Sequence, residues 1–401
     1  MFEEYKRLPY EANCLIWSSL FPNIAHGMFY TDLPYFLVNV QGLSPVLMGI
    51  IVGAMGIATV AASIPLGIAA DKYGRKRLLI VGNGMASVTI AVFVLTLDFT
   101  ILLAAAIFKG ISEAAFAAST NALLAEKIES KRRTGAFSLL GFVQSTAFGV
   151  GGVLIYSVSP LEGLGLNSLQ SHAVLYLFLA VLSLSSIILM LRLTESTCLK
   201  RDASLRNLLP TKSKGILGKY LLAGGLVAFG AGMVVPLMTY WFGLRYGLTD
   251  AIGGPILGVS SIAIGAATLV SPAIARRLGL VKAITVTQAF SMLFMVATPF
   301  SPEYISASFI YTIRAFLMNM ASPLQQSMMM GLVPEDERGA ASGISSALWQ
   351  LPNSLSTPIG SSLMGMGLLA KPFLLAGAFY VVSIALFWIF FRRARLPEEH
   401  A

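Results

Sequence analysis

The feature that most constrains this chain is a series of apolar segments, each of about 20 residues or more, that lack a polar face. A helix of that length crosses a bilayer core of roughly 30 Å. Backbone groups facing lipid must be hydrogen-bonded within their own segment, which favours helices, and a membrane barrel would show short alternating segments instead. With 56% hydrophobic and 12% charged residues, the sequence predicts an all-α, polytopic membrane protein.

Charged residues and Pro or Gly breaks divide the apolar runs into twelve predicted transmembrane helices. The first and last residue of each predicted helix are expected to be correct to within a few residues. The predicted limits are 12–38, 45–70, 77–97, 99–127, 134–158, 171–193, 218–244, 249–275, 281–300, 303–332, 339–367 and 371–391.

The distribution of the 28 Lys and Arg residues predicts the orientation of these helices. The two termini and the even-numbered connections hold 24 of them, whereas the odd-numbered connections hold only Arg245 and Lys371. Cytoplasmic loops are enriched in Lys and Arg. We therefore expect a multi-pass protein of the cell membrane with both termini in the cytoplasm. The net charge of +9 then reflects topology and gives no support for a nucleic-acid partner.

The chain contains a second copy of its own pattern. Residues 26–75 and 231–280 are identical at 14 of 50 positions when they are compared at a constant offset of 205 without a gap. An even number of spans separates the copies, so both have the same orientation, as in parallel-repeat carriers whose solute site lies near the midplane. The same offset pairs further bases, namely Lys109 with Arg314 and Arg133 with Arg338.

These repeats predict two pseudo-symmetric six-helix bundles joined by a polar segment. The segment 194–217 is polar, basic and interrupted by Pro210, as expected of a cytoplasmic linker. The predicted units are an N-terminal bundle at 1–193, the linker at 194–217 and a C-terminal bundle at 218–401.

The predicted turn between the second and third helices reads GIAADKYGRKR, residues 67–77. With twelve spans and two repeats, this turn gives a chain that resembles the major facilitator superfamily (MFS). That family's signature has Gly, three residues, Asp, a base, one residue, Gly, Arg and further bases, and the match here is complete. The resemblance covers essentially the whole chain and implies the MFS fold and a secondary active transporter that functions as a monomer.

Two other signatures of that family match poorly. In the helix 4 signature an Arg precedes a Gln-Gly pair by three residues, whereas those positions hold Ala106 and Lys109-Gly110 here. The helix 5 antiporter signature has Gly-Pro before a Gly-Gly pair, whereas Ala147-Phe148 precedes the Gly-Gly pair here. These departures weaken the resemblance to a typical drug/proton antiporter.

The signature turn is also a candidate conformational gate. Gly67 and Gly74 would allow close helix contact and a sharp turn. Asp71 would lie near the positive end of the helix beginning close to Gly339, in only one of two transport states, and would bias the equilibrium between them with Arg75. The alternative is a solvated turn that only sets topology. The candidate gate residues are Gly67, Asp71, Gly74, Arg75, Arg77, Arg133 and Arg338.

Four ionisable residues lie deep inside predicted spans, where each costs at least about 2.5–3.5 kcal/mol. They are Asp32, Lys109, Glu113 and Arg314. The two bases are repeat partners and could hold a carboxylate or phosphate between them. Glu113 is four residues after Lys109, on the same helix face, and could alternate between that base and a proton. Glu113 and Asp32 are thus the proton-coupling candidates. The alternative is a static Lys109–Glu113 pair.

Further polar and aromatic residues are candidates for contact with a solute. His26 and Tyr30 share one face of the first helix, and Gln144 and Trp349 are repeat partners. Each is equally compatible with a structural or interfacial place. The complete set of substrate-binding candidates is Lys109, Arg314, Gln144, Trp349, Asn319, Tyr30, Tyr240 and His26.

The expected function is transport of a small organic solute, with an organic anion favoured and protons as the driving ion in symport or antiport. A proton-driven multidrug efflux transporter of the same fold is the alternative, and a non-transporting solute sensor is an alternative of a different class. An enzyme is not expected, because the sequence lacks HExxH and GxSxG motifs. Two cysteines and three scattered histidines predict no metal site, disulfide framework or cofactor.

Overall fold

A computed structural model of the chain describes residues 8–128, 133–194, 213–334 and 338–392. Within these ranges the chain is helical and contains no β-strand. Fifteen α-helices are seen, and short π or 3₁₀ turns extend some of them. The helices are α1 Tyr10–Ser18, α2 Leu20–Tyr35, α3 Pro45–Tyr73, α4 Arg75–Leu95, α5 Phe99–Lys127, α6 Arg133–Leu154, α7 Val158–Gly163, α8 Ser168–Leu191, α9 Lys214–Gly232, α10 Met238–Tyr246, α11 Asp250–Leu278, α12 Leu280–Ala297, α13 Tyr304–Leu332, α14 Arg338–Gly365 and α15 Lys371–Phe391.

Each of the twelve predicted segments corresponds to helix in the structure. In the part of the chain that is described, eight segments are long and apolar enough to cross a membrane, and they include 45–70, 99–127 and 371–391. The predicted spans 12–38, 249–275, 303–332 and 339–367 are helical but are not among these eight. The all-α polytopic fold is confirmed, and four of the twelve crossings stay predictions.

Two predicted helices are interrupted where prolines occur. The segment predicted at 218–244 is α9 and α10, separated by a short 3₁₀ turn at Val235–Leu237 that contains Pro236. The segment predicted at 12–38 breaks at Ser19 and, after Pro34, continues into a π turn at Phe36–Val40. Proline has no N–H to donate to the preceding turn, so the regular hydrogen-bond pattern changes at these points.

The chain divides into two compact units. Unit 1 comprises residues 1–202 and 248–262, and unit 2 comprises residues 203–247 and 263–401. The first half of α11 therefore packs in unit 1, although by sequence it belongs to the second repeat.

Backbone geometry recurs at the repeat offset of 205. Gly42 and Gly247 both have positive φ, at 75° and 68°, and so do Gly74 and Gly279, at 108° and 77°. Gly74, Gly247 and Gly279 each cap a helix, and Gly42 lies between the π turn and α3. At these positive φ values a residue with a Cβ would be strained. The register read from the sequence thus matches the local backbone in both copies.

Candidate functional site

The predicted Lys109–Glu113 pair is present on α5. The helix begins after Asp98, whose carboxylate accepts hydrogen bonds from the main-chain N–H groups of Thr100 and Ile101. The four-residue spacing brings Lys109 Nζ within 2.7 Å of Glu113 Oε1, on one face of the helix. Lys109 is only 2% exposed, so its charge is neutralised inside the protein by this carboxylate.

Two residues of α2 complete the surroundings of Glu113. Tyr30 donates its hydroxyl hydrogen to Glu113 Oε2 over 2.7 Å, and His26 Nδ1 lies 3.4 Å from Oε1. The His26 and Tyr30 rings stack with centroids 4.4 Å apart, which agrees with the prediction that they share a helix face. We call Lys109, Glu113, Tyr30 and His26 the α5 cluster. Both oxygens of the Glu113 carboxylate have partners, so Glu113 binds Lys109 in a fixed geometry.

The ammonium group of Lys109 also faces aromatic rings. Its Nζ lies 5.5 Å from the centroid of Phe29 and 5.8 Å from that of Tyr30. An ammonium ion over an aromatic face is attracted by about 0.5–2 kcal/mol, and most strongly where water is excluded. The Lys109 ammonium group therefore contacts the Glu113 carboxylate and lies near two aromatic rings, those of Phe29 and Tyr30.

Arg314 is the corresponding base in unit 2, on α13. It is 4% exposed. Its Nη2 donates to the hydroxyl oxygen of Tyr380 over 2.8 Å, and its guanidinium carbon lies 5.7 Å from the Tyr311 ring centroid. Its Nε is buried and has no hydrogen-bond partner among the residues that the structure describes. Among the described residues no carboxylate lies within 4.0 Å of the guanidinium, so its charge is not balanced by an ion pair there.

Asp32 lies in a second buried cluster, which the sequence did not predict. His172 Nε2 is 2.6 Å from Asp250 Oδ2 and 3.7 Å from Asp32 Oδ2. Tyr176 donates its hydroxyl hydrogen to Asp32 Oδ2 over 2.9 Å. The residues come from α2, α8 and the first turn of α11, all within unit 1. We call Asp32, His172, Asp250 and Tyr176 the α8 cluster.

Sequence reasoning took Asp32 as a single deep acid and gave His172 and Asp250 no role. His172 lies one turn inside α8, and Asp250 is the first residue of α11, so each looked like a residue at the end of a span. Their contact joins positions 78 residues apart. The signal available in the sequence was that both start an otherwise apolar segment, which alone does not identify partners.

The remaining substrate candidates have mixed surroundings. Tyr240 is buried at 1% exposure and Trp349 is exposed at 38%. Gln144 is half-buried. Asn319 is half-buried and donates to the main-chain carbonyl of Ala315 over 2.8 Å, within its own helix. That bond is local to α13.

The signature turn is sharp, as predicted. Gly74 separates α3 from α4 with a φ of 108°. Arg75 contacts Glu126 Oε2 at 3.2 Å and the carbonyl of Ala122, whereas Arg77 is exposed. These contacts fix the turn to the end of α5 within unit 1.

The other candidate gate residues are Gly67, Asp71, Arg133 and Arg338. A Cβ at Gly67 would meet nothing within 4 Å in the described part of the chain, so the expected close helix contact is not found there. Arg133 and Arg338 are the first described residues of α6 and α14. The side chains of Asp71, Arg133 and Arg338, and the contact expected for Asp71 near Gly339, lie outside what the structure describes.

Known proteins resemble this chain along most of its length. The sequence profile of the Major Facilitator Superfamily matches residues 15–357. Multidrug resistance protein 2 of Bacillus subtilis is 25% identical over 374 residues, which cover 90% of this chain and 90% of that protein.

Solved structures share the fold. The nucleoside transporter NupG is matched with a TM-score of 0.76 at 15% identity, over 96% of this chain and 100% of that chain. The human organic anion transporter MFSD10 is matched with a TM-score of 0.68 at 16% identity, over 94% of this chain and 100% of that chain. Since the profile spans most of the sequence, the chain belongs to the Major Facilitator Superfamily.

Proposed function

We propose that this protein is a secondary active transporter that carries a small organic anion across the membrane by alternating access, driven by protons. Arg314 and Lys109 bind the anion, Glu113 carries the coupling proton, and Asp32 contributes to proton binding. Gln144, Trp349, Asn319, Tyr30, Tyr240 and His26 are the further candidates for contact with the solute.

The observation that carries this proposal is the unbalanced charge of Arg314. A buried guanidinium is costly unless it is paired, and here its described partners are the neutral side chains of Tyr380 and Tyr311. An anionic solute would supply the missing charge. A carboxylate could accept two parallel N–H bonds from the planar guanidinium, including one from the unpartnered Nε.

The α5 cluster supports the coupling step. Glu113 now neutralises Lys109 at 2.7 Å. A solute carboxylate that binds Lys109 would replace this carboxylate, and Glu113 would then be a buried charge without its base. Taking up a proton removes that charge, so anion binding at Lys109 and proton binding at Glu113 are linked.

The arrangement of the chain in the membrane belongs to the same proposal. The functional units are the N-terminal bundle at 1–193, the linker at 194–217 and the C-terminal bundle at 218–401. The protein lies in the cell membrane with both termini on the cytoplasmic side, and it functions as a monomer. The signature turn, with Gly74, Arg75 and Arg77, contributes to the gate between transport states.

Export of drug-like compounds is the second candidate function. It is favoured by the likeness to Multidrug resistance protein 2 over nearly the whole chain. In that case the aromatic rings beside Lys109 would contact apolar solutes and Arg314 would have a structural role with Tyr380. A sensor that binds solute without moving it is the alternative outside transport.

Transport in proteoliposomes tests these readings. Wild-type protein, Arg314→Gln, Lys109→Gln and the control Arg245→Gln are compared for uptake of labelled organic mono- and dicarboxylates, with and without an imposed pH gradient. Arg245 is a base on α10 outside the proposed site. We expect both site variants to lose at least about tenfold in rate, the loss for one charged hydrogen bond, and the control to retain it.

Three outcomes separate the alternatives. Anion transport at the wild-type rate by Arg314→Gln and Lys109→Gln would contradict the anion site. Gradient-driven movement of ethidium with no movement of any anion would favour drug export. Saturable binding of an anion without transport by sealed vesicles would favour the sensor.

A further inference from the structure

The hydrogen bonds of His172 require a proton at a defined place in the α8 cluster. Its Nδ1 lies 2.6 Å from the main-chain carbonyl oxygen of Ser168. A carbonyl oxygen only accepts hydrogen bonds, so Nδ1 carries a hydrogen and donates it. The second ring nitrogen, Nε2, lies 2.6 Å from Asp250 Oδ2. If the ring were neutral, with its hydrogen on Nδ1, and Asp250 were ionised, Nε2 and Oδ2 would both be acceptors. Their lone pairs would then repel each other at 2.6 Å.

One proton therefore lies between Nε2 and Oδ2. It is held either as an imidazolium beside a carboxylate or as a carboxylic acid beside a neutral imidazole. Both arrangements contain the same number of protons. With Asp32 ionised, His172, Asp250 and Asp32 together carry one negative charge in either case.

Asp32 offers a place for a second proton. It is completely buried, and its Oδ1 has no hydrogen-bond partner in the described part of the chain. Its Oδ2 accepts from Tyr176 and lies 3.7 Å from the ring of His172. Protonation of Oδ1 would bring the net charge of the cluster to zero, which lowers the cost of burial. Tyr35 on α2 is the further titratable group close enough to interact with both acids.

The position of Asp250 connects this cluster to α11. Asp250 is the first residue of that helix, whose initial half packs in unit 1 while the rest belongs to unit 2. Glycines make the packing in unit 1 close: a Cβ on Gly258 would lie 2.5 Å from the carbonyl oxygen of Gly149, and one on Gly254 would lie 2.9 Å from that of Gly152. The His172–Asp250 bond adds the polar contact at the start of this helix.

We propose that Asp32, His172 and Asp250 form a proton-binding site, separate from the α5 cluster, whose occupancy decides whether the start of α11 stays bound to α8 through the His172–Asp250 contact. The proton between His172 and Asp250 holds the helix in place. Its removal leaves two acceptors facing each other and a second negative charge inside the protein, and the start of α11 then separates from α8. The inference rests on the proposed proton-driven transport and adds the α8 cluster as a second proton-binding group beside Glu113.

The observed spacing favours a proton over a metal ion in this position. The three side chains offer ligand atoms within 4.8 Å of one another. However, nitrogen and oxygen ligands of one tetrahedral zinc ion lie roughly 3.3 Å apart, since each is about 2.0–2.2 Å from the metal. His172 Nε2 and Asp250 Oδ2 are closer than this, at 2.6 Å, as in a hydrogen bond.

Hydrogen–deuterium exchange of residues 248–262 in the detergent-solubilised full chain tests the site without any transport measurement. Wild type is compared with Asp250→Asn and His172→Gln at about pH 6 and about pH 9, after correction for the intrinsic pH dependence of exchange. An amide at either position provides a fixed N–H, so the contact no longer needs a titratable proton. The double variant Lys109→Met/Glu113→Gln is the control, because it removes the carboxylate of the α5 cluster without leaving an unpaired buried charge.

We expect corrected exchange of 248–262 in wild type to be at least tenfold faster at the higher pH, about 1.4 kcal/mol. Asp250→Asn and His172→Gln should show less than a twofold change, and Lys109→Met/Glu113→Gln should respond as wild type does. Exchange that is independent of pH in wild type would overturn the proposal, as would loss of the response in Lys109→Met/Glu113→Gln. Slower exchange on adding micromolar Zn²⁺ to wild type but not to Asp32→Asn would assign the site to a metal ion and also overturn it. Loss of anion transport on its own would contradict only the proposed function.

Discussion

Gly232 lies directly against the main chain of Asn353: a Cβ at this glycine would be 2.0 Å from the carbonyl oxygen of Asn353. The same contact is present 205 residues earlier, where a Cβ on Gly27 would lie 2.1 Å from the carbonyl oxygen of Phe148. In both copies a glycine allows two helix backbones to approach, as small residues commonly do between membrane helices. The internal repeat is therefore a repeat of packing as well as of sequence.

Substitution of either glycine by alanine should destabilise the protein. No flexible side chain can move to make room, because the atom that a new Cβ would meet is main-chain oxygen. We expect Gly27→Ala and Gly232→Ala each to cost about 3 kcal/mol or more, at the upper end of the range for overpacking. Thermal unfolding of the purified protein in detergent measures the loss.

Gly141→Ala is the matched control for these variants. Gly141 lies on α6, the helix that carries Phe148, and a Cβ there would meet nothing within 4 Å. Alanine is favoured over glycine in a helix by about 0.5–1 kcal/mol, so this variant should be as stable as wild type or slightly more so. Equal stability of Gly27→Ala and Gly141→Ala would show that the contact between α2 and α6 is not as close as described.

Removing one member of the Lys109–Glu113 pair should cost more than removing both. Glu113→Gln leaves Lys109 buried beside a neutral amide, and breaking a buried pair in this way costs about 3–5 kcal/mol. In Lys109→Met/Glu113→Gln the unpaired charge is gone, so stability should return to within about 1–2 kcal/mol of wild type. Unfolding midpoints of the two single variants and the double variant form the cycle. Additive losses would mean that the two side chains do not interact.

The sequence predicted this pair because a helix brings residues four apart onto one face. The repeat offset of 205 also pairs Gly42 with Gly247, and both glycines have positive φ. These inferences depend on spacing along one helix or on a constant offset, which can be read without knowing the tertiary structure.

Contacts between distant helices could not be read in this way. His26 and Tyr30 were correctly placed on one face of the first helix, but their partner is Glu113, which lies 83 residues after Tyr30. His172 and Asp250 meet only because the first half of α11 packs in unit 1. The close contact expected at Gly67 is not found among the described residues, and a glycine permits a close approach without specifying which helix makes it.

Acid should remove one stabilising contact at the start of the chain. Glu11 pairs with Lys127 at 2.9 Å and accepts a hydrogen bond from Thr194. Hydrogen bonds from Lys127 and then Thr194 hold the pKa of the Glu11 carboxyl below its ordinary value of 4.5. A carboxyl with a lowered pKa contributes its stabilisation above the unfolded-state pKa and loses it as the pH falls through the folded-state pKa.

The stability of Glu11→Gln should therefore differ from that of wild type only at pH values above the folded-state pKa of Glu11. We expect wild type to be more stable by roughly 0.2–1 kcal/mol from about pH 8 to about pH 5.5, with the difference vanishing as the pH falls below 4.5. Denaturant titrations at a series of pH values measure it, with the exposed Glu162→Gln as control. A difference that persists unchanged in acid would assign the effect to packing of the side chain and not to its charge.

The neutral surroundings of Arg314 lead to a final prediction. Tyr380 is fully buried, and its hydroxyl oxygen accepts the Nη2–H of Arg314. Tyr380→Phe would leave this donor buried beside Nε, which already lacks a partner. We expect a loss of about 1.5–3 kcal/mol, the contribution of a hydrogen bond to a charged group, measured as the free energy of unfolding in detergent without solute. Tyr304→Phe makes the same chemical change at an exposed position of α13, the helix that carries Arg314, and should stay within about 0.5 kcal/mol of wild type. If an organic anion binds the guanidinium, adding that anion should restore stability to Tyr380→Phe but not to Arg314→Gln, because a ligand stabilises only a protein that binds it. Equal stabilisation of both variants by the anion would show that it binds elsewhere.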